Sequence, residues 1–330
     1  MKEVDIKPAN HPLISVVVLC YNLEKYIGEC LESVMNQEID VPFEVIVGDD
    51  GSVDNSISVI ESVRARYPNA ITLITHEHNV GYSKNLADVM AHASGEYIAT
   101  VDGDDLMLPR KLARQFEFLD THREFGMVVH RMRTVDALTG ERVHFPMARV
   151  KPAVFDAEFL IEHGPFFFTS SVMFRGALRR RHAIDLDLKV VADVANLVQC
   201  LHGSQGAYLD QDFGIYRVNP KGFTSTVIRN PVRHETTIVD LMHTCDMAEA
   251  LGMKREVVDR GRAGVFLRSA VLHLENGFYD QFEHCIQKST KFADLGVKQQ
   301  VLYAMRHWPR MLRSLYALAK QVAGRSAVRV

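Results

Sequence analysis

Three short segments of the chain collect side chains that can do chemistry. The first is VDGDD at 101–105, which places Asp102, Asp104 and Asp105 within four residues of one another. Carboxylates this close repel, and each resists ionisation unless a cation lies between them. Hard oxygen ligands of this kind suit Mg²⁺ or Mn²⁺, which keep some waters and take phosphate oxygens as further ligands. The same residues also suit a solvated acidic turn. The second segment is Asp49-Asp50-Gly51-Ser52. A carboxylate there can accept hydrogen bonds from a base or ribose, or cap a helix. Gly51 permits a tight turn and the close approach of a ligand. The third is NVGYSKN at 79–85, where Lys84 offers a point charge to a phosphate or simply faces water.

The elements around these segments would bring them to one place. ISVVVLC at 14–20 and FEVIVG at 43–48 are apolar, β-branched runs of the kind found in strands covered on both faces. AITLIT at 70–75 and EYIATVD at 96–102 read as two more strands. Between them, residues 23–36 carry helical spacing (Tyr26, Ile27, Cys30, Leu31, Val34 and Met35 on one face), a helix capped near Asp54 follows the second strand, and 83–93 forms a third. A further helix begins near Pro109. Such alternation predicts βαβ units and a mostly parallel sheet. In such sheets ligands bind beyond the carboxyl ends of the strands. Tyr21-Asn22, the 49–52 cluster and the 102–105 cluster each follow a strand end, so all three are expected on one rim. Farther on, 126–136 and 207–219 read as extended, 186–202 as helical, and 165–175 (PFFFTSSVMFR) as apolar and aromatic. From about residue 232 the chain reads as helices.

PLISVVVLCYN, EVIVGDDGSVDNS, NVGYSKN and GEYIATVDGDD resemble, in order and spacing, the successive motifs of the family 2 glycosyltransferases, which are inverting enzymes of GT-A fold. The resemblance covers residues 12–110 closely and continues more thinly to about 226. It implies a GT-A α/β domain over 1–230, with a donor half at 1–110 and an acceptor half at 111–230, and a helical C-terminal extension at 231–330. It implies that Tyr21 contacts the nucleobase, that Asp50 binds the base with Asp49 as its more variable neighbour, that Asp102 lies near the ribose, and that Asp104 holds the divalent metal with Asp105 behind it. The family's catalytic base often belongs to a Glu-Asp pair opening a helix. Here the matching stretch is VVADVANLVQCL, with Ala192 in the Glu position and Asp193 in the Asp position; Asp185, Asp187 and Asp210 are the rivals. A YRxH segment of the family corresponds to Tyr216-Arg217-Val218-Asn219, which lacks the His. Arg217 and Lys221 remain as diphosphate contacts.

The implied activity is transfer of a sugar from a nucleotide diphosphate sugar, UDP being the commonest carrier, to a hydroxyl of a glycan or lipid-linked acceptor in surface polysaccharide synthesis. Two other readings stand beside it: a non-catalytic nucleotide-sugar binding protein and a sugar nucleotidyltransferase. The latter normally shows a Gly-rich basic phosphate loop after the first strand, and CYNLEKY is not one. No GxGxxG follows that strand either, which argues against a dinucleotide oxidoreductase.

Composition agrees with an ordinary globular protein: of 330 residues, 47% are hydrophobic and 24% charged. A net charge of −3 argues against a nucleic-acid binder. The five cysteines form no CxxC pair and sit among apolar neighbours, as buried free thiols do. His76 and His78 have no further Cys/His partners at zinc-ligand spacing. The first residues are charged where a secretory signal would be apolar, and no run of about 18 uncharged apolar residues occurs. These features predict a cytoplasmic protein. The tail adds one qualification: after Asp294 there is no acidic residue, while Lys298, Arg306, Arg310, Arg313, Lys320, Arg325 and Arg329 alternate with Trp308, Met311, Leu312, Leu315, Tyr316 and Leu318. A basic amphipathic helix of this kind predicts peripheral contact with the inner face of a membrane, or packing on its own domain.

Overall fold

A computed structural model describes residues 12–145, 151–219, 222, 226–227 and 229–327, with side chains described as far as residue 318. Residues 1–11, whose charges enter the cytoplasmic expectation, and Lys221 lie outside the described residues. The chain divides into two compact units, one of residues 1–157 and 165–219, the other of 158–164 and 220–330.

The first unit is built on a mixed sheet of nine strands among the described residues. Its parallel half runs β3 (Ile71–Thr75), β2 (Phe43–Asp49), β1 (Ile14–Cys20), β4 (Tyr97–Asp102). The order continues through β8 (Met173–Arg175), β6 (Phe125–Asp136), β9 (Gln205–Val218) and β5 (Leu106–Met107), while β7 (Val154–Phe155) pairs with β9 off this path. Strand β8 is antiparallel to both β4 and β6. The central position of β1 explains its composition: all but one of its residues are buried, because helices cover both faces of the sheet. Each fully buried Val or Ile there contributes roughly 1.5–3 kcal/mol.

Helices α1 (Ile27–Met35), α2 (Ser56–Arg64), α3 (Tyr82–His92) and α4 (Lys111–Thr121) connect these strands. Helix α1 starts four residues later than its apolar spacing predicts. The reason is local: the Leu23 and Glu24 N–H groups donate to Ser56 Oγ and Asp54 Oδ2, at 2.8 and 3.1 Å, and so are spent on the neighbouring loop. Asp54 also accepts from the Ser56 N–H at 2.9 Å, which ties down the start of α2. Helix α3 can close on β2 only because residue 48 is Gly; a Cβ there would lie 2.3 Å from Val89 and 2.4 Å from Asn85. The latter part of the unit holds α6 (Gly176–Arg179) and α7 (Ala192–Leu201), and the aromatic run 165–175 becomes a 3₁₀ turn at Thr169–Ser171 followed by β8.

The second unit is helical: α5 (Ala157–His163, nearly all of it in this unit), α8 (Pro231–Ala250), α9 (Arg255–Asn276), α10 (Tyr279–Phe292), α11 (Val297–Ala304) and α12 (Pro309–Ala327). Asn230 caps α8, accepting from Val232 and Arg233 N–H groups with Pro in the first turn. Gly261 of α9 lets α5 pack closely, since a Cβ would sit 2.6 Å from Ile161. All five cysteines are buried free thiols.

Candidate active site

Parallel pairing aligns the ends of three strands. Cys20 is in register with Asp49, and Leu19 with Asp102. Tyr21, the 49–52 turn and the 102–105 turn therefore leave the sheet at the same edge, the carboxyl end of β1, β2 and β4.

The 49–52 turn is held mostly by its own side chains. Asp49 is fully buried, and its two carboxylate oxygens accept from the Ser52 N–H at 2.8 Å and the Ser52 hydroxyl at 2.6 Å. Asp49 thus shapes the loop and presents no surface to a ligand, a limit on its expected place beside the nucleotide. Asp50 is 5% exposed and accepts from the N–H groups of Val80 (2.7 Å) and Gly81 (3.2 Å), so it clamps the 77–81 loop against the strand ends. Burial raises its pKa, opposed by those two N–H groups. Gly51 has φ +68° and packs on the backbone of His78 and Asn79; a Cβ would lie 2.4 Å from the His78 carbonyl carbon. Beside this turn Tyr21 is 45% exposed. Asn22, also at positive φ, bridges to it: its N–H donates to Ser52 Oγ and its side-chain oxygen accepts from Val53 N–H, both at 2.9 Å. Lys84 is exposed and ion-paired with Asp88 one turn along α3, so it is engaged with its own helix. His76 faces the same Asp88 at 3.6 Å.

The 102–105 turn is more strained electrostatically. Asp102 and Asp104 are partly open, whereas Asp105 is fully buried. Burial, then Asp104 and Asp193, push the Asp102 carboxyl up to about 7. Burial likewise raises Asp104. It raises Asp105 well above the usual carboxylate range, with Asp104 and Asp102 adding repulsion. Two donors hold Asp105: the Ser170 hydroxyl and, at 3.0 Å, the Arg217 N–H. Ser170 Oγ also accepts from the Asp102 N–H at 3.0 Å. Arg217 approaches from β9; its guanidinium donates to the Asp104 carbonyl at 3.2 Å, pairs with Glu29 of α1 and lies 5.4 Å from the Tyr26 ring centroid.

Asp193 opens α7 and accepts from Thr169 Oγ1 at 3.0 Å; burial raises its pKa. Asp102 and Asp193 line one cavity together with Tyr82, Leu86, Thr100 and Thr169. The structure thus brings Asp102, Asp104, Asp193 and Arg217 into one neighbourhood, with Asp50 and Tyr21 along the same sheet edge. Lys84 contributes to its own helix, and Lys221 is outside the described residues. Asn219, in the position of the missing His, ends the run after β9.

Several residues with a hand in this geometry escape a reading of the sequence. Ser170 and Thr169 orient three of the carboxylates; the hint is a run of hydroxyls, TSS, inside an otherwise apolar segment. Glu29 holds Arg217 across a distance of 188 residues and leaves no local signal. Lys111 is fully buried in the first turn of α4, where PRKL reads as a surface helix start. Its ammonium donates to the Thr100 carbonyl at 3.1 Å, beneath the acidic turn. Burial pulls it down to about 7, opposed by Cys30, Asp105 and Asp102.

Among the described residues no three His, Cys, Asp or Glu side chains are arranged to hold a metal ion by themselves. The carboxylate pair at 102 and 104 nevertheless fits a cation that takes its remaining ligands from phosphate and water, as Mg²⁺ commonly does. Burial raises both carboxyls, and Asp104 and Asp193 add repulsion at Asp102; a bound cation would relieve that repulsion.

The profile of the family described as "Glycosyl transferase family 2" matches residues 15–183, just over half of the chain. Protein Rv1520 of Mycobacterium tuberculosis is 31% identical over 215 residues, 63% of this chain and 60% of its own length. EpsE of Bacillus subtilis, which carries a provisional glycosyltransferase name, is 32% identical over 187 residues, 54% of this chain and 65% of its own. The chain therefore spans less than two thirds of the length of these curated relatives. Among solved structures, Staphylococcus aureus TarS 1–349 in complex with UDP-GlcNAc superposes with a TM-score of 0.64 at 20% identity, covering 93% of this chain and 91% of that one. The mannosyltransferase PcManGT of Pyrobaculum calidifontis, with GDP-Man and Mn²⁺, superposes at 0.56 with 18% identity, covering 95% and 90%. These likenesses show the GT-A fold. Together with the motifs at the strand ends, the family match makes the chain a member of glycosyltransferase family 2.

Proposed function

We propose that the chain is an inverting glycosyltransferase that moves a sugar from a nucleotide diphosphate sugar, a UDP-sugar first among them, to a hydroxyl of a glycan or lipid-linked acceptor in surface polysaccharide synthesis. The observation that carries this reading is the convergence of Asp102, Asp104 and Asp193 at the carboxyl edge of the parallel strands, with Asp102 and Asp193 lining one cavity. The neighbours point the same way: solved relatives of this fold hold UDP-GlcNAc or GDP-Man.

In this reading the nucleobase lies against Tyr21, whose ring is open to solvent, and the loop that Asp50 clamps forms the wall beside it. Asp102 faces the ribose. Asp104, with Asp105 behind it, would hold a divalent cation, Mg²⁺ or Mn²⁺, which would supply charge stabilisation to the departing diphosphate. Arg217 adds a fixed positive charge beside the same turn. Asp193 is the base: it accepts the proton of the acceptor hydroxyl as that oxygen forms a bond to the anomeric carbon and the bond to the diphosphate oxygen breaks. Burial suits Asp193 to this role, since a raised carboxylate is a stronger proton acceptor. Thr169 orients it by donating to Oδ2 at 3.0 Å. One displacement inverts the anomeric centre.

A thermal-shift panel of UDP-, GDP- and dTDP-sugars with and without Mn²⁺ tests the proposal. A metal-dependent rise in melting temperature with one nucleotide is expected, because a ligand that binds only the folded state stabilises it by mass action. No shift with any nucleotide, with or without metal, would refute a donor site at this edge.

A further inference from the structure

The C-terminal helix α12 presents an apolar stripe that no part of its own unit covers, and an acidic group beside its start, Glu283, faces His307 at 3.2 Å. Trp308 precedes the helix; Met311, Leu315 and Leu318 follow at helical spacing, and the four are between 49% and 60% exposed. Leu312, by contrast, is buried and marks the side on which α12 rests on its own unit. At about 100° per residue the stripe falls between that buried side and the exposed Arg310. Arg313 is exposed on the opposite side of the helix from the stripe, beside Gly277 at the end of α9. Ahead of the stripe the Arg306 guanidinium lies over the Tyr303 ring at 4.2 Å, which adds a second exposed aromatic ring to Trp308.

We infer that this stripe is a docking surface for an anionic lipid bilayer, with α12 lying in the plane of the headgroups. Charge complementarity selects that occupant. Beyond Asp294 the chain has seven Lys and Arg residues and no Asp or Glu. Cations at this density attract anionic headgroups, and an arginine can bury its stem along apolar surface while its head stays in water. Trp and Tyr favour the level where apolar and wet regions meet. No helix among the described residues is long and apolar enough to cross a membrane, so the helix lies on the surface and does not span it. This inference stands apart from the donor site, and nucleotide binding neither supports nor undermines it.

The test is co-sedimentation of the full chain with vesicles of phosphatidylcholine alone or with about one third phosphatidylglycerol, in roughly 0.1 M salt, where charges act over about 10 Å. Binding to the anionic vesicles and little to the neutral ones is expected. The variant Arg310→Gln should partition about fivefold less, one cation near the surface being removed. The quadruple variant Trp308→Gln, Met311→Gln, Leu315→Gln, Leu318→Gln should lose sedimentation while keeping its circular dichroism spectrum and its nucleotide-induced melting shift, because all four side chains are exposed. Equal binding to both vesicle types, no binding to either, or unchanged binding by the quadruple variant overturns the inference. So does reversible dimerisation abolished by the quadruple variant without vesicle binding, which would assign the stripe to a second copy of the chain.

Discussion

Replacing Asp102 by Asn should make the donor-free protein more stable while disabling it. Asp102 has its carboxyl pushed up to about 7 from an ordinary 3.8, chiefly by burial and then by Asp104 and Asp193. A group whose folded pKa is raised favours folding most when protonated, so its contribution is intact below about pH 4 and is lost as pH rises to about 7. Holding this carboxylate ionised at pH 8 therefore costs the fold about 4 kcal/mol, at about 1.36 kcal/mol for each tenfold change in proton affinity. Part of the side chain is open to water, and the titration is shared with Asp104, which trims the gain to roughly 2–4 kcal/mol. Asn keeps the shape and leaves Ser170 Oγ, 3.3 Å from Asp102 Oδ2, free to go on donating to Asp105. Urea unfolding of the two proteins followed at pH 8 and pH 4.5 reads the difference directly. The variant should lead at pH 8, and the lead should shrink towards zero at pH 4.5. Equal stability at pH 8, or a lead that does not change with pH, would show that the acidic turn carries no such electrostatic cost. Addition of Mn²⁺ and UDP should stabilise the wild type and close the gap.

Three other perturbations test separate parts of the site. Asp193→Asn should lower kcat on the order of 10²–10⁴-fold with the nucleotide-induced melting shift unchanged, measured by nucleoside diphosphate release with acceptor present. In the wild type, kcat/KM should fall as pH drops through the raised pKa of Asp193, giving an acid limb above the ordinary carboxylate range, and a limb that persists unchanged in the Asn variant would move the base elsewhere. Asp104→Ala should abolish the Mn²⁺-dependent part of the nucleotide melting shift while the far-ultraviolet spectrum stays that of the wild type; wild-type turnover without added metal would refute the assigned role. Gly51→Ala should cost at least about 1–2 kcal/mol in denaturant melts, because residue 51 sits at φ +68° and a Cβ would meet the His78 backbone at 2.4 Å. The same variant should weaken nucleotide binding by displacing the loop that Asp50 clamps.

Much of the parallel half was legible in the sequence because its signals are local. ISVVVLC, FEVIVGD and IATVD are runs of β-branched and apolar residues, and the polar clusters after them follow from where a strand must stop. The later strands were harder. Residues 165–175 read as one apolar stretch, yet the structure makes them a 3₁₀ turn and a short antiparallel strand between β4 and β6. That pairing depends on partners roughly 45 and 75 residues away in the chain. Residues 158–164 likewise carry nothing that says they belong with the C-terminal helices; the close approach of Ile161 to Gly261 decides it.

What the sequence determined by itself was the kind of chemistry available: carboxylates crowded into one turn, glycines where the backbone bends, and an acid at the head of a helix. Their types and short spacings are covalent facts, and no fold is needed to count them. Only the tertiary structure decided how each acid is used. Asp49 and Asp50 are neighbours, yet one is consumed by Ser52 inside the turn and the other clamps a loop 30 residues on. Lys111 reads as a surface lysine and is sealed beneath the acidic turn, while Glu29 and Arg217 meet from opposite ends of the first unit. Burial and long-range hydrogen bonding set these charges, and both depend on which segments the packed sheet brings side by side.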